Sequence, residues 1–136
     1  MQFRGFTFGH VEVEVEGRAY DLHNFYAAST IHYAPLERTL VLGFTRRPED
    51  WVPAEEARRI MVRFDDVSYF CAEGRDPDSA EDDCVLHAIG TVQLGVETKG
   101  FYLMDNIPAD QHLVVCFSSG LRLRIQAEEA WCEIEF

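Results

Sequence analysis

The sequence contains no run of about 20 apolar residues, and its opening stretch, MQFRGFTFGH, reaches Glu12 and Glu14 without an apolar segment long enough for an export signal. Neither a membrane-spanning helix nor a secretory leader is expected, and the expected compartment is cytoplasmic. Basic residues are scarce: 12 Lys and Arg stand against 24 Asp and Glu, a formal net charge of −12. Long-range repulsion then opposes binding to nucleic-acid backbones and to anionic membrane surfaces, and it favours a basic protein partner. Cysteine is limited to Cys71, Cys84, Cys116 and Cys132, too widely spaced to read as a disulfide framework. With 136 residues and 47% apolar content, one domain buries enough surface to fold without staples, so reduced thiols are expected.

Catalytic and metal-binding signatures are missing as well. There is no G-x-S-x-G elbow, no phosphate-binding glycine loop and no H-E-x-x-H. Cys84 and His87 have C-x2-H spacing, but no second paired motif near the remaining cysteines or histidines completes four zinc ligands. Asp76, Asp78, Glu81 and Asp83 resemble a calcium loop in outline, yet Ala80 and Glu81 stand where a ligand and the turn glycine are needed. No cofactor and no metal is expected. Cys71, Cys116 and Cys132 sit in alternating apolar runs, where a thiol behaves as a small hydrophobe.

What the chain does have is alternation with a period of two. Val11, Val13 and Val15 point to one face of an extended strand while Glu12, Glu14 and Glu16 form a column on the other. Ser29 to Tyr33 and Arg38 to Phe44 read as a hairpin about the turn Ala34-Pro35-Leu36-Glu37, with Leu40, Leu42 and Phe44 on its apolar face. Residues 45–57 carry two prolines and mixed charge, a loop with one helical turn starting at Pro53. Ile60, Val62 and Phe64 then alternate with polar positions. Val67, Tyr69 and Cys71 fall out of phase with them, which predicts a bulge or bend at Asp65-Asp66.

Residues 73–83 form the most acidic loop. Ala80 to Ile89 fits a short helix capped by Ser79, and Val85 to Leu94 fits a strand equally well. Phe101 to Leu103 reads as a further strand and Asp105-Asn106-Ile107-Pro108 as a turn. Beyond them, Leu113–Phe117, Leu121–Gln126 and Trp131–Phe136 read as a three-stranded meander with turns at 118–120 and 127–130. That register sets Arg124 opposite Glu133 and Arg122 opposite Glu135 on one face, and Ile125 opposite Cys132 and Leu123 opposite Ile134 on the other.

Two groups of residues are candidates for function. Glu12, Glu14 and Glu16 lack arginine mates nearby in sequence, so they serve either as a solvated or edge-guarding face or as a docking surface for a basic partner. Trp131, if exposed, is a suitable interface anchor, although facing Gln126 it would simply cover the meander. The alternative is a small-molecule-binding or hydrolytic pocket around His23, with His32 and Tyr33; His23 equally suits a turn-closing role.

The order Leu22-His23-Asn24, Ile31-His32-Tyr33, Arg38 to Leu42, Ile60 to Phe70 and the closing strands resembles small, acidic, β-rich bacterial proteins, some of them immunity proteins of toxin systems. Such proteins often carry aspartate where this chain has Asn24. The resemblance implies a non-enzymatic binding protein and names no contact residues. The expected fold is a single mainly β domain over 1–136, an antiparallel sandwich or partly closed barrel with at most one or two short helices. Its inner faces should include Val11, Val13, Leu40, Leu42, Ile60, Val62, Phe64, Leu123, Ile125 and Ile134. The expected function is protein binding, plausible roles being neutralisation of a basic toxin or service as an acidic subunit; a structural or oligomeric protein is the third reading.

Overall fold

The computed structural model describes residues 1–93 and 107–136. Among these residues the chain forms β1 (Gln2–Arg4), β2 (Phe6–Phe8), β3 (Glu12–Val15), β4 (Arg18–Asp21), β5 (Tyr26–Ala34), β6 (Thr39–Arg46), β7 (Arg59–Glu73), the 3-10 segment η1 (Pro77–Cys84), β8 (Leu86–Gln93), β9 (Gln111–Phe117) and β10 (Arg122–Glu135). The main sheet has the order β5-β6-β7-β10-β9-β8 and is antiparallel, with β1 added parallel to β10. It curls into a half-barrel, and β2-β3-β4 make a small second sheet. The mainly β expectation holds.

Period-two patterning explains the curl's interior. Leu40, Leu42 and Phe44 on β6 lie opposite Phe64, Val62 and Ile60 on β7, and all six are buried. Each such side chain removed from water contributes about 1.5–3 kcal/mol before chain entropy is charged against it. Phe6, Phe8, Val13 and Tyr20 of the small sheet join the same core, where Phe3, Phe6 and Phe8 meet with ring centroids 5.2–5.4 Å apart. Of the expected inner residues, Val11 and Ile134 are half-buried and the rest are buried.

The small sheet is tied to the far end of the large one. Leu22 N–H donates to Val11 O at 2.9 Å, and Ile89 N–H of β8 donates to His10 O at 2.8 Å. The first closes the β2–β3 loop onto the end of β4, and the second holds that loop against β8.

The phase change expected at Asp65-Asp66 is present. Asp66 adopts φ 51°, in the left-handed region, and Val67 is thereby buried at 3% exposure. A register shift follows at once: Ala127 pairs with Val67, Gln126 pairs with Tyr69, and Ser68 is the extra residue. Tyr69 is therefore exposed while Phe70 pairs with buried Ile125.

The closing meander is a correction. Leu113–Phe117 and the strand after Gly120 do form a hairpin, with Arg122 opposite Cys116 and Gly120 at φ 88°. Residues 127–130 make no turn; they lie inside β10, which runs unbroken alongside β7. Arg124 accordingly pairs with Glu73 at 3.0 Å, and Glu135 is held by Arg58. The pairs expected between 121–126 and 131–136 do not exist, because a strand cannot oppose itself without a reversal.

The ambiguity at 80–89 resolves into both elements in series. Pro77 starts the 3-10 segment after Asp76, whose side chain accepts from Asp78 N–H at 3.0 Å, and β8 begins at Leu86. The expected helical turn at Pro53 is a single hydrogen-bonded turn, Glu56 N–H to Pro53 O at 3.1 Å. The strand expected at Phe101–Leu103, and Asp105-Asn106 of the turn, lie outside the described residues.

Candidate functional site

Glu12 and Glu14 lie on β3, the central strand of the small sheet, so they guard no edge, and Glu16 follows in the turn to β4. The three members of the acid column have different situations. Gly9, Val11 and Glu12 form a tight turn in which Gly9 N–H donates to Glu12 O at 2.8 Å and the Glu12 carboxylate accepts from Val11 N–H at 3.2 Å. Glu12 is thus occupied in closing its own loop. Glu14 is exposed between Thr7 and Ala19. Glu16, at φ 51°, forms with Gly17 at φ 79° the β3–β4 turn, where two left-handed residues match the twist of the strands.

Directly opposite Glu12 on β4 stands Asp21, a like-charge pair. Asp21 is also used locally: it accepts from His23 N–H at 3.0 Å, Asn24 N–H at 2.9 Å and Asn24 Nδ2 at 2.7 Å. Among the described residues no Arg forms an ion pair with Glu12, Glu14 or Glu16; Arg18 turns to Glu56 at 3.6 Å and stacks over Tyr20 at 4.8 Å.

His23, His32 and Tyr33 do not converge. His23 Nδ1 is 2.5 Å from Leu86 O and pins the end of β4 to β8. His32 is exposed on β5, and its neighbour Tyr33 lies on the opposite face, its ring tilted against Phe70 with centroids 5.3 Å apart. Adjacent residues of one strand face opposite ways, so this separation follows from the pleat.

Trp131 is placed differently from the expectation, and more openly. It lies mid-strand on β10 and pairs with Arg4 of β1 on one side and Arg63 of β7 on the other. The same row runs on through Val41 to His32, crossing five strands on the outer face. Trp131 is 41% exposed. Along its own strand it stands between Glu129 and Glu133, which share its face. Arg4 is bound to Glu129 at 2.9 Å and Arg63 to Asp65 at 3.1 Å, whereas Glu133 is exposed and, among the described residues, has no cation within ion-pairing distance. The site is an indole set in a cross, carboxylates along the strand and guanidinium groups across it.

The sequence signal for this cross was Glu-Ala-Trp-Cys-Glu, 129–133, a period-two match no different in kind from the acid column. Arg4 was invisible as a neighbour, since parallel pairing of β1 with β10 leaves no local trace.

Clefts elsewhere are open and mixed in character. One of about 450 Å³ is lined by His87, Cys116, Ser118 and Arg122, where His87 is the bulged residue between Leu86 and Ala88. Burial raises the Cys116 thiol above its ordinary range, with Arg122 acting in the opposite sense, which disfavours the nucleophilic thiolate. Among the described residues no group of three or more His, Cys, Asp or Glu is arranged to hold a metal ion. No helix of the described chain is long and apolar enough to cross a membrane. No family model, curated protein or solved structure matches the chain.

Proposed function

We propose that this is a non-enzymatic, acidic protein-binding domain that receives a basic protein surface on the outer face of its main sheet, in the manner of an immunity protein neutralising a toxin. The observation that carries this reading is Trp131, an exposed indole between two arginines in a five-strand row, with an unpaired carboxylate at Glu133 beside it. Exposed tryptophan flanked by arginine has the composition of an interface hot spot. An incoming Lys or Arg finds a ring face for a cation–π contact and a carboxylate two residues away. The net charge of −12 supplies steering at long range. Glu14 and Glu16 contribute to that field without forming the contact, since Glu12 is engaged in its loop.

The test is affinity capture from the source lysate at low salt, comparing wild type, Trp131→Ala and the triple variant with Glu12, Glu14 and Glu16 changed to Gln. A basic protein is expected that elutes as salt rises to the physiological range. Trp131→Ala should weaken its binding by about tenfold or more. The triple variant should slow association and leave the complex otherwise intact. Equal retention of that protein by wild type and Trp131→Ala would sink the proposal.

A further inference from the structure

The row next to that of Trp131 on the outer face runs through Thr30, Gly43, Met61 and Glu133, across β5, β6, β7 and β10. Its glycine is buried, and a Cβ built on it would lie 3.0 Å from Thr30 Cβ, 3.2 Å from Thr30 Oγ1 and 3.5 Å from Arg59 Nη2. The missing side chain at 43 therefore lets Thr30 and the Arg59 guanidinium lie down on the backbone of β6. Arg59 starts from β7, opposite Thr45, and leans over β6, away from β10.

Arg59 has been left without an acceptor. Arg58 is paired with Glu135 and Arg63 with Asp65, but among the described residues Arg59 makes no ion pair, although Glu135 stands opposite it on β10. Its Nε is buried with no hydrogen-bond partner. The nearby hydroxyls serve one another: Thr45 Oγ1 donates to Ser29 Oγ at 2.8 Å, and Ser29 Oγ donates to Gly43 O at 3.3 Å. With 24 acidic residues against 12 basic ones, carboxylates are not what the chain is short of. A buried donor left unsatisfied is costly, and one already held in place removes that ordering cost from whatever binds it.

We propose that Arg59, laid over Gly43 beside Thr30, is a carboxylate-binding subsite that takes an Asp or Glu side chain of the same basic protein whose cation meets Trp131 and Glu133. The inference rests on the reading of this face as a protein-binding surface and adds the partner's second charge. A planar carboxylate matches the guanidinium fork. Its source is a protein side chain rather than a free anion. Glu133 and Glu135 stand on the adjoining strand, η1 brings further carboxylates beside β5, and the net charge of −12 repels a free anion at long range. A basic protein is drawn in by that same field and carries its carboxylate with it. Gly43 and Glu133 are two strand spacings apart, about 10 Å. The partner therefore presents its acid and its base at about that separation, which an extended segment spans in about three residues.

The test titrates the full chain with two capped peptides, acetyl-Lys-Gly-Gly-Asp-amide and its Asn counterpart, at constant ionic strength. Binding is followed by NMR at the Arg59 Nε–H and at the Thr30 and Gly43 amides, for wild type, Arg59→Gln and Trp131→Ala. Wild type should bind the Asp peptide about threefold or more tightly than the Asn peptide. Arg59→Gln should bring that ratio to one, and Trp131→Ala should weaken both peptides and preserve it. A ratio of one in wild type, a ratio untouched by Arg59→Gln, or no binding of either peptide overturns the subsite. A preserved ratio with Trp131→Ala harmless would support the subsite and count against the Trp131 contact, so the two readings fail separately. Inorganic phosphate should leave the three signals unmoved at the concentration where the Asp peptide saturates; saturation by phosphate there marks a free-anion site and overturns the proposal. Should Arg59→Gln fail to fold, the two peptides on wild type decide.

Discussion

The Tyr26 hydroxyl donates to the Glu56 carboxylate at 2.8 Å from a wholly buried ring, and the other carboxylate oxygen lies 3.6 Å from Arg18. Arg46 adds two bonds to the same loop, donating to Ala54 O at 2.9 Å and Glu56 O at 3.1 Å. One polar chain thus staples loop 53–57 to the starts of β4 and β5 and the end of β6. Burial first, then the hydrogen bond to Glu56, raises the phenol above its ordinary value of 10.0.

Tyr26→Phe should remove a bond to a charged acceptor and destabilise the fold by about 1.5–3 kcal/mol, read from urea denaturation near neutral pH. The sign of the pH effect follows from the raised value. Because the folded state holds the phenol proton more tightly than the unfolded one, this contribution is complete below pH 10.0 and is lost as pH climbs above it. The variant should show a shallower alkaline fall in stability than the wild type; an unchanged slope would count against this account.

His112 is expected to govern part of the acid limb. It is 6% exposed and stacked on Tyr69 with centroids 4.3 Å apart. Burial, and secondly Arg124, lower its pKa from 6.5. The unfolded chain then takes up the proton first, so the contribution is fully present above pH 6.5 and falls as pH drops through that value. His112→Gln should flatten the stability profile between about pH 7 and about pH 5, measured by thermal melts.

Cys132 should resist alkylation. Burial and the neighbouring Glu133 push its thiol up from 9.0 to about 12. At a pH near 8 its thiolate fraction is then about a thousandfold below that of an unperturbed cysteine. Timed iodoacetamide labelling of the native protein with peptide mass spectrometry should find Cys132 modified last, together with Cys116, whose thiol is also raised by burial. Early modification of Cys132 in native protein would contradict its placement.

Glu12→Ala should cost about 1 kcal/mol, the value of a carboxylate that satisfies a loop N–H, and Glu12→Gln should recover much of it. Gly9→Ala should mimic the loss, because a Cβ there would come within 2.3 Å of the Glu12 carboxylate and displace it from Val11 N–H. Thermal melts of the three variants test this. If Glu12→Ala melts like wild type, the carboxylate is a plain surface charge.

The hairpin of β5 and β6 was legible because Leu40, Leu42 and Phe44 alternate without a break and its turn carries proline; the bulge at Ser29 was not. The bend at Asp66 was legible because Val67 could not otherwise be buried, whereas the bulge at Ser68, which returns Tyr69 to the outer face, was not. The same kind of phase slip at 127–130 was misread as a turn. A bulge and a turn both restart the alternation, and only composition separates them: Ala-Glu-Glu-Ala has none of the Gly, Pro, Asn or Asp that turns favour. The coincidence of Arg122 and Arg124 with Glu133 and Glu135 concealed the true partners, Glu73 and Arg58, which lie on other segments. Trp131 was recognised as a residue type, but its surroundings were hidden, since they come from β1 and β7.

The parallel seam between β1 and β10 also sets an order of events. Arg4 and Glu129, which close it, are 125 positions apart in the chain. A strand three residues long cannot hold its place until that distant edge exists. During synthesis Gln2–Arg4 must wait for Glu129–Trp131 to appear. Contacts of such separation carry a high loop-closure cost and form late. The docking of β1 is then expected late in folding, and until it occurs the Trp131 row lacks its outermost member, Arg4.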